Sequence, residues 1–457
     1  MEKVLSFIKQ NEKRYESEMI EWLKIESVSA DPARSAQTRK AAEWLAGRLK
    51  NIGIENVKLM ETGLHPVVYG DWLHAEGAPT ILVYGHYDVQ PADPIEKWTT
   101  PPFDPAIRDG YIYGRGTADD KGQFCAHLFA LEALMKNTGK LPVNVKFFVE
   151  GEEECGSLHT SPFVVQNKEL LACDAVAVSD TNWHTDEMLT MVYAMRGMCY
   201  LQVDVKGPKR DLHSGSFGGM VQNPLNAIGK MIAKLQDENG VIQIPHYYDD
   251  VVKLSDAERK EFASIGNHDE EMKKDLSISA LWGENGFTSS ERNWARPSLD
   301  VHGIWGGYSG PGPKTVIASE GGFKVSSRLV ANMNPEKTAK QFKDYLTSIC
   351  PPGVTVNVTV LQSAPPVLVP LDNPFVKAAA TALESGFGRR PIMVREGASI
   401  PITATFQSEL KAAPLLVGFS LPSDVIHSPN ERFKLENFHK GIATCAHLYC
   451  GLAKVKK

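Results

Sequence analysis

The sequence predicts an α/β protein in which a mostly parallel sheet with flanking helices is interrupted by an inserted α+β domain. Apolar runs without alternation occur at residues 80–84, 143–149, 172–178 and 413–419. Such runs, rich in Val, Leu and Ile, are typical of strands buried on both faces of a parallel sheet. After residue 197 the apolar residues alternate instead. Because 457 residues exceed one typical core, we expect two domains.

Each domain follows from its own periodicity. In the first, apolar residues from Phe124 to Met135 recur at helical spacing. In the second, alternation at 199–206 and 354–360 predicts strands, residues 323–330 read as another strand, and Asn223-Pro224 and Asn334-Pro335 each open a helix. The fourth apolar run returns only near residue 415. We therefore predict a catalytic domain at 1–196 and 366–457, an inserted domain at 197–365, and a Gly- and Pro-rich connector at 286–313.

Residues with metal-ligating side chains stand where the apolar runs end. Because ligands of open α/β sheets bind beyond the carboxyl ends of the strands, these side chains are expected to converge. Asp119 arrives differently, after a glycine-containing turn and just before a predicted helix, where a carboxylate is favoured. The types and positions predict a two-metal hydrolase, with the ligand set His86, Asp119, Glu154, Asp180 and His427, and with Asp88 and Glu153 beside two of them.

The acidic segment 150–154 has an ordinary alternative, a solvated acidic turn. However, it follows a strand of the buried type, where four carboxylates would repel one another without a cation. The metal interpretation is therefore favoured. Adjacent Glu153 and Glu154 can serve different tasks, since consecutive side chains diverge in extended or turn backbone.

Composition excludes several classes of function. The net charge of −6 and the absence of a long basic block argue against nucleic-acid binding. The amino end reads as an amphipathic helix without a signal-peptide core, and no stretch approaches the ~20 apolar residues of a membrane span. Seven cysteines without C-x-x-C spacing are typical of reduced thiols. We expect a cytoplasmic protein that binds neither nucleic acid nor membrane.

Five segments together resemble a known family, the co-catalytic, zinc-exopeptidase-like metallopeptidases that include carnosinase, cytosolic nonspecific dipeptidase, aminoacylase and the glutamate carboxypeptidases. The resemblance covers nearly the whole chain and is strongest to the carnosinase-like dipeptidases. Each motif alone is weak, but their order and spacing are specific. The segments are YGHYDVQP at 84–91, YGRGTADDKG at 113–122, EGEEE at 150–154, DLHSG at 211–215 and REGASIP at 395–401.

The resemblance implies a role for each residue of the predicted site. His86 and Asp180 would hold one metal, Glu154 and His427 the other, and Asp119 would bridge them. Asp88 would orient the His86 imidazole, and Glu153 would be the general base that activates a metal-bridging water. Mixed His and carboxylate ligands fit two Zn²⁺ ions per subunit, with Mn²⁺ also possible.

The resemblance also implies a substrate and an assembly. Arg328 would grip the free C-terminal carboxylate of a dipeptide, with Thr315 and Ser399 near it, and a guanidinium fork suits that group. His213 would help to stabilise the oxyanion from the partner subunit of a homodimer, which the inserted lid and dimerisation domain would form. The chain departs from the carnosinase pattern at Asn182 and Ala398. These departures affect which substrate side chains we expect the protein to prefer, and not the reaction.

Two other functions remain open from the sequence. An N-acyl amino acid deacylase or a C-terminal glutamate carboxypeptidase would use the same chemistry, and side-by-side assays of dipeptides and N-acetyl amino acids distinguish them. A metal-binding regulatory protein without turnover would belong to another class. Such a protein has no need of a base, whereas Glu153 and Asp88 are both present.

Overall fold

Strands are distributed along most of the chain in the computed structural model, which describes residues 1–398 and 400–456. In chain order the described strands are β1 (Glu55–Met60), β2 (Val67–Trp72), β3 (Thr80–His86), β4 (Ala106–Arg108), β5 (Tyr111–Tyr113), β6 (Asn144–Glu150), β7 (Ala175–Val178), β8 (Thr190–Met195), β9 (Gly197–Lys206), β10 (Leu212–His213), β11 (Ser298–Gly306), β12 (Val316–Ile317), β13 (Glu320–Leu329), β14 (Thr355–Ala364), β15 (Val367–Leu368), β16 (Ile392–Glu396), β17 (Ala413–Leu416) and β18 (Arg432–Lys434).

Helices separate many of these strands. In chain order the described α-helices are α1 (Glu2–Leu23), α2 (Ser35–Asn51), α3 (Lys121–Thr138), α4 (Thr160–Gln166), α5 (Lys168–Leu171), α6 (Ser214–Phe217), α7 (Pro224–Ile232), α8 (Asp256–Ala263), α9 (Asp269–Asp275), α10 (Ser289–Ala295), α11 (Pro335–Ile349), α12 (Pro374–Phe387), α13 (Pro401–Thr405) and α14 (Leu435–Leu452).

The chain divides into two units. The first comprises Met1–Tyr193, Val369–Val394 and Pro401–Lys457, and the second comprises Ala194–Leu368 and Arg395–Ile400. The second unit is thus inserted in the sequence of the first. Its role as a lid and dimerisation domain stays a prediction.

A sheet with a parallel centre forms the first unit. Its strand order is β1-β2-β6-β3-β7-β17-β8. Strand β3 pairs in parallel with β6 and β7, and β7 pairs in parallel with β17. Strands β1, β2 and β8 add antiparallel pairings at the sides. The prediction of a mostly parallel sheet is confirmed, and its carboxyl ends meet at one edge.

Helices α1, α3, α12 and α14 pack as a layer in the first unit, with contacts between α1 and α3, α3 and α14, and α14 and α12. Helix α3 is buried over most of its length, from Lys121 to Leu134. Each fully buried large apolar side chain stabilises the fold by roughly 1.5–3 kcal/mol. The helix ends where Gly139 adopts a left-handed conformation, φ 70°, which closes the last turn.

The second unit contains an antiparallel sheet in the order β11-β13-β9-β14. Alternate residues of β9, from Cys199 to Val205, are buried against α7 and α11. Both helices start at the predicted Asn-Pro pairs. The Asn223 and Asn334 side chains accept hydrogen bonds from the backbone N–H groups of Leu225 and Lys337, at 2.9 and 2.7 Å.

The prediction of a connector at 286–313 is wrong, because this region contains helix α10 and strand β11. Thr288 and Glu291 form a capping box that starts α10. Strand β11 pairs with β13 from Ser298 to Gly306, although Leu299 is its only buried residue. Pairing with a neighbouring strand, rather than an apolar pattern of its own, makes this segment a strand.

Candidate active site

The carboxyl edge of the central sheet carries the first residues of the site. Strand β3 ends at His86, which is in register with Glu150 at the end of β6. Strand β7 ends two residues before Asp180. The backbone of β3 lies close to α3 at Gly85, where a Cβ atom would be 2.5 Å from the Phe124 ring. A side chain at that position would displace the start of α3.

Two groups of potential ligand atoms form at this edge. His86, Asp119 and Asp180 make one group, and Asp119, Glu154 and His427 make the other. Within each group the atoms lie within 4.8 Å of one another. Asp119 is the member that both groups share.

The two carboxylate oxygens of Asp119 face different histidines. Oδ1 lies 3.0 Å from Nε2 of His86, and Oδ2 lies 2.9 Å from Nε2 of His427. The same His427 nitrogen is 3.2 Å from Oε2 of Glu154. Oδ2 of Asp180 lies 3.9 Å from Nε2 of His86. One carboxylate therefore stands between two separate sets of His and acidic ligands.

The electrostatics of the site favour a bound cation. Burial, together with Glu154, Asp119 and Asp88, raises the pKa of Glu153 to about 8. Burial and nearby carboxylates also raise the pKa of Asp180 and of Glu154. Hydrogen bonds to Asp119 and Glu154 raise the pKa of His427 to about 10. Divalent cations relieve this kind of carboxylate crowding, so the donor set fits metal ions.

The acidic segment after β6 divides its carboxylates among several partners. Glu150 accepts hydrogen bonds from Tyr84, Ser157 and Thr160 hydroxyls at 2.9, 2.9 and 2.6 Å. Glu152 binds Thr62 Oγ1 at 2.7 Å, the His65 backbone N–H at 3.2 Å and His159 Nδ1 at 2.8 Å. In the described part of the chain the Glu153 carboxylate makes no hydrogen bond. Its oxygens are therefore not engaged by any donor among the described residues.

Asp88 contacts two of the candidate ligand residues, His86 and Glu154. Nδ1 of His86 lies 3.1 Å from the Asp88 backbone oxygen and 3.4 Å from its Oδ1. The other carboxylate oxygen accepts a hydrogen bond from the Glu154 backbone N–H at 3.1 Å. An acceptor at Nδ1 leaves Nε2 to face the ligand group.

The model of Peptidase family M20/M25/M40 matches residues 82–450 of the chain. The chain belongs to this family. The Beta-Ala-His dipeptidase of Mus musculus is 30% identical, with 99% of this chain and 96% of that protein covered. The Cys-Gly metallodipeptidase dug1 of Schizosaccharomyces pombe is 31% identical, with 97% and 96% covered. The solved structure of human carnosine dipeptidase 1 matches with a TM-score of 0.79, 30% identity and 99% of both chains covered.

These similarities confirm the predicted fold class and the predicted resemblance to dipeptidases of the M20 family. Family membership agrees with the geometry of the site, in which each of the two candidate ligand groups has its own histidine, as two metal ions would require.

Among the described residues, no helix has the length and apolarity that crossing a membrane requires. All seven cysteines of this M20 chain are free thiols.

His213, Thr315 and Arg328 belong to the second unit, whereas all of the proposed metal ligands belong to the first. His213 is exposed at the end of β10, and its Nδ1 accepts a hydrogen bond from the Gly215 N–H at 3.0 Å. Thr315 is exposed, and its backbone oxygen binds the Ser214 N–H at 3.0 Å. Arg328 is partly exposed on β13. Ser399 lies outside the described residues.

Sequence reasoning missed two residues that contact the candidate ligands. Gln90 donates from Nε2 to Oε2 of Glu154 at 2.9 Å. Glu431 is fully buried and accepts hydrogen bonds from the turn that carries Asp119. Gln90 lies in the motif at 84–91, four residues after His86. Glu431 lies four residues after His427, and that closeness to a ligand was its only signal.

Proposed function

We propose that this chain is a two-metal dipeptidase that cleaves the peptide bond of dipeptides with a free C-terminal carboxylate. The position of Asp119 carries the proposal, because its two oxygens face two separate ligand groups. A bridging carboxylate is what two ions roughly 3.5–4 Å apart would share. The relatives named as dipeptidases, which align over nearly the full chain, support the choice of substrate class.

Under this proposal His86 and Asp180 hold one ion, and Glu154 and His427 hold the other, with Asp119 between them. The ions, when bound, polarise the scissile carbonyl and lower the pKa of water. His and carboxylate donors in this ratio suit Zn²⁺ first and Mn²⁺ second. Asp88 orients the imidazole of His86 through Nδ1.

The general base in this proposal is Glu153. Its carboxylate has no hydrogen-bond partner in the described part of the chain, and burial among other carboxylates raises its pKa to about 8. Divalent cations bound beside it would lower that pKa and keep the carboxylate ionised near neutral pH. The carboxylate can therefore accept a proton from water and pass it to the leaving amine. Glu154, one residue later, is held by Gln90 and His427 instead.

Metal removal and readdition test the proposal. We expect chelated protein to lose hydrolysis of dipeptides, and titration with Zn²⁺ or Mn²⁺ to restore it with saturation at two ions per subunit. N-acetyl amino acids assayed beside a dipeptide panel provide the specificity control. Full activity of metal-free protein, saturation at one ion, or preference for the N-acetyl substrates would each contradict the proposal.

Arg328 is proposed to bind the substrate carboxylate. Burial and the nearby positive charge of Arg328 lower the pKa of Arg196 to about 10. Two guanidinium groups this close repel each other, and a bound anion would reduce that repulsion. Thr315 and Ser399 are proposed to contact the same end of the substrate.

Amidation of the substrate C-terminus should therefore lower kcat/KM by about 10- to 150-fold, the equivalent of one hydrogen-bonded charge pair. Steady-state kinetics on a matched dipeptide acid and its amide measure this loss. In an Arg328→Met variant the acid should lose its advantage over the amide. Equal turnover of both forms by the unmodified protein would exclude the role.

We further propose a homodimer in which His213 acts at the partner's active site. In a two-fold symmetric dimer each subunit would supply its His213 to the active site of the other. Co-refolded Glu153→Ala and His213→Ala chains should regain roughly a quarter of the wild-type activity, because about half of the dimers are mixed and each has one intact site. No recovery despite confirmed mixed dimers would show that His213 does not act in trans.

Cytoplasmic location stays a prediction. The seven free thiols support a reducing compartment, because secreted proteins pair their cysteines.

A further inference from the structure

The Glu431 carboxylate binds the turn that precedes Asp119. One oxygen accepts hydrogen bonds from the backbone N–H groups of Ala118 at 2.9 Å and Asp119 at 3.2 Å. The other accepts from the Gly116 N–H at 3.0 Å and from Arg115 Nη1 at 2.7 Å. Glu431 is 0% exposed. Four donors therefore converge on one buried carboxylate.

Local structure brings Glu431 to this turn. Strand β18, which starts at Arg432, pairs with β5 so that Arg432 is opposite Tyr113. The Gly114 N–H donates to the Glu431 backbone oxygen at 3.0 Å. The chain then turns through Gly116, whose φ of 86° suits glycine and where a Cβ atom would lie 2.7 Å from a Val89 methyl group. The strand pairing thus aligns Glu431 with the N–H groups of the turn.

The chemistry of the contact requires a carboxylate. An ionised Glu is only an acceptor, with about four lone-pair positions, which matches three N–H groups and one guanidinium. A Gln side chain would direct its own NH₂ donors at two of these donors. It would also leave the Arg115 charge, 1% exposed, without its partner.

We propose that Glu431 is a positioning residue for the metal centre, an inference that rests on the two-metal function proposed above. It orients the Asp119 backbone directly, by accepting its N–H. Through the main chain it also connects to His427, four residues earlier. The carboxylate that bridges both ligand groups and one histidine of the second group are thereby fixed relative to each other.

A purely structural role would look different from a positioning role. Arg115 also donates to the Pro91 backbone oxygen at 3.1 Å. A purely structural role would need only the buried ion pair between Arg115 and Glu431, without the backbone N–H groups of the turn. Glu132 provides a comparison within the same unit. It is a buried carboxylate held by Arg14 and Arg48, and its contacts lie away from the turn.

The test compares Co²⁺ binding by metal-free wild type, Glu431→Gln, Glu431→Asp and the control Glu132→Gln, followed by visible absorption and calorimetry. Residues that orient metal ligands change metal affinity by about 10- to 100-fold when mutated. We expect Glu431→Gln to bind Co²⁺ more weakly by that factor and to show altered absorption bands. Glu431→Asp, which keeps the charge but shortens the reach, should fall between it and wild type.

The control separates positioning from stability. Thermal unfolding should show both Glu→Gln variants less stable than wild type, while Glu132→Gln keeps wild-type Co²⁺ affinity and absorption. Wild-type affinity in Glu431→Gln would overturn the inference. If that variant does not fold, Glu431→Asp decides, and wild-type affinity there would overturn it equally.

The outcomes also distinguish this inference from the proposed function. A wild type that binds two Co²⁺ ions but cleaves no dipeptide would overturn the function, while the affinity of the Glu431 variants would still decide the positioning role. Wild-type Co²⁺ affinity in an active enzyme carrying Glu431→Gln would overturn only the positioning role. A wild type that binds no divalent ion would overturn both.

Discussion

Glu153→Gln is expected to lower kcat by about 10²–10⁴, the usual contribution of a general base, while the protein keeps its fold and its two metal ions. The amide has nearly the same shape but cannot accept the proton from water. Steady-state kinetics on metal-loaded protein measure the loss, and metal analysis confirms the content. Near-normal kcat in the loaded variant would assign the base to another group.

The neighbouring residue provides a matched control. Glu152 carries the same side chain, but its carboxylate is bound by Thr62, His65 and His159. Glu152→Gln should lower the free energy of unfolding by about 1–3 kcal/mol, because a buried acceptor is replaced by a donor. Its kcat should stay close to wild type. If both variants lost kcat equally, the effect would be one of folding rather than of proton transfer.

Asp119→Asn is expected to remove both metal ions and, with them, the activity. Loss of a shared charged ligand should weaken binding by more than the ~100-fold seen when residues behind the ligands are changed. The reason is geometric, since each Asp119 oxygen faces a different histidine, His86 at 3.0 Å and His427 at 2.9 Å. Metal content after dialysis, determined by elemental analysis, is the measurement.

Asp180→Asn serves as the comparison for this prediction. Asp180 belongs to one ligand group only, so this variant should retain one ion per subunit. An Asp119→Asn protein that kept two ions would exclude the bridging role. Equal losses in the two variants would mean that the two sites fill only together.

Local pattern in the sequence was enough to predict the main elements. The four apolar runs correspond to β3, β6, β7 and β17. A near-continuous apolar run has no polar face for solvent, and it is therefore typical of a strand buried on both faces of a parallel sheet. The Asn-Pro pairs at 223–224 and 334–335 started α7 and α11, because both the cap and the fixed proline φ act within one turn. The residue types at the strand ends and before α3 also predicted the five residues that the structure brings together as two candidate ligand groups.

Only the tertiary structure decided how these residues meet. Strand β11 has one buried residue, Leu299, and its identity as a strand depends on pairing with β13. The four donors on Glu431 come from residues more than 300 positions earlier. That Asp119 directs one oxygen to each ligand group depends on three chain segments packed together. Sequence periodicity describes neighbours along the chain, whereas hydrogen bonds and ligand distances across the fold depend on packing, and this is why they appeared only in the structure.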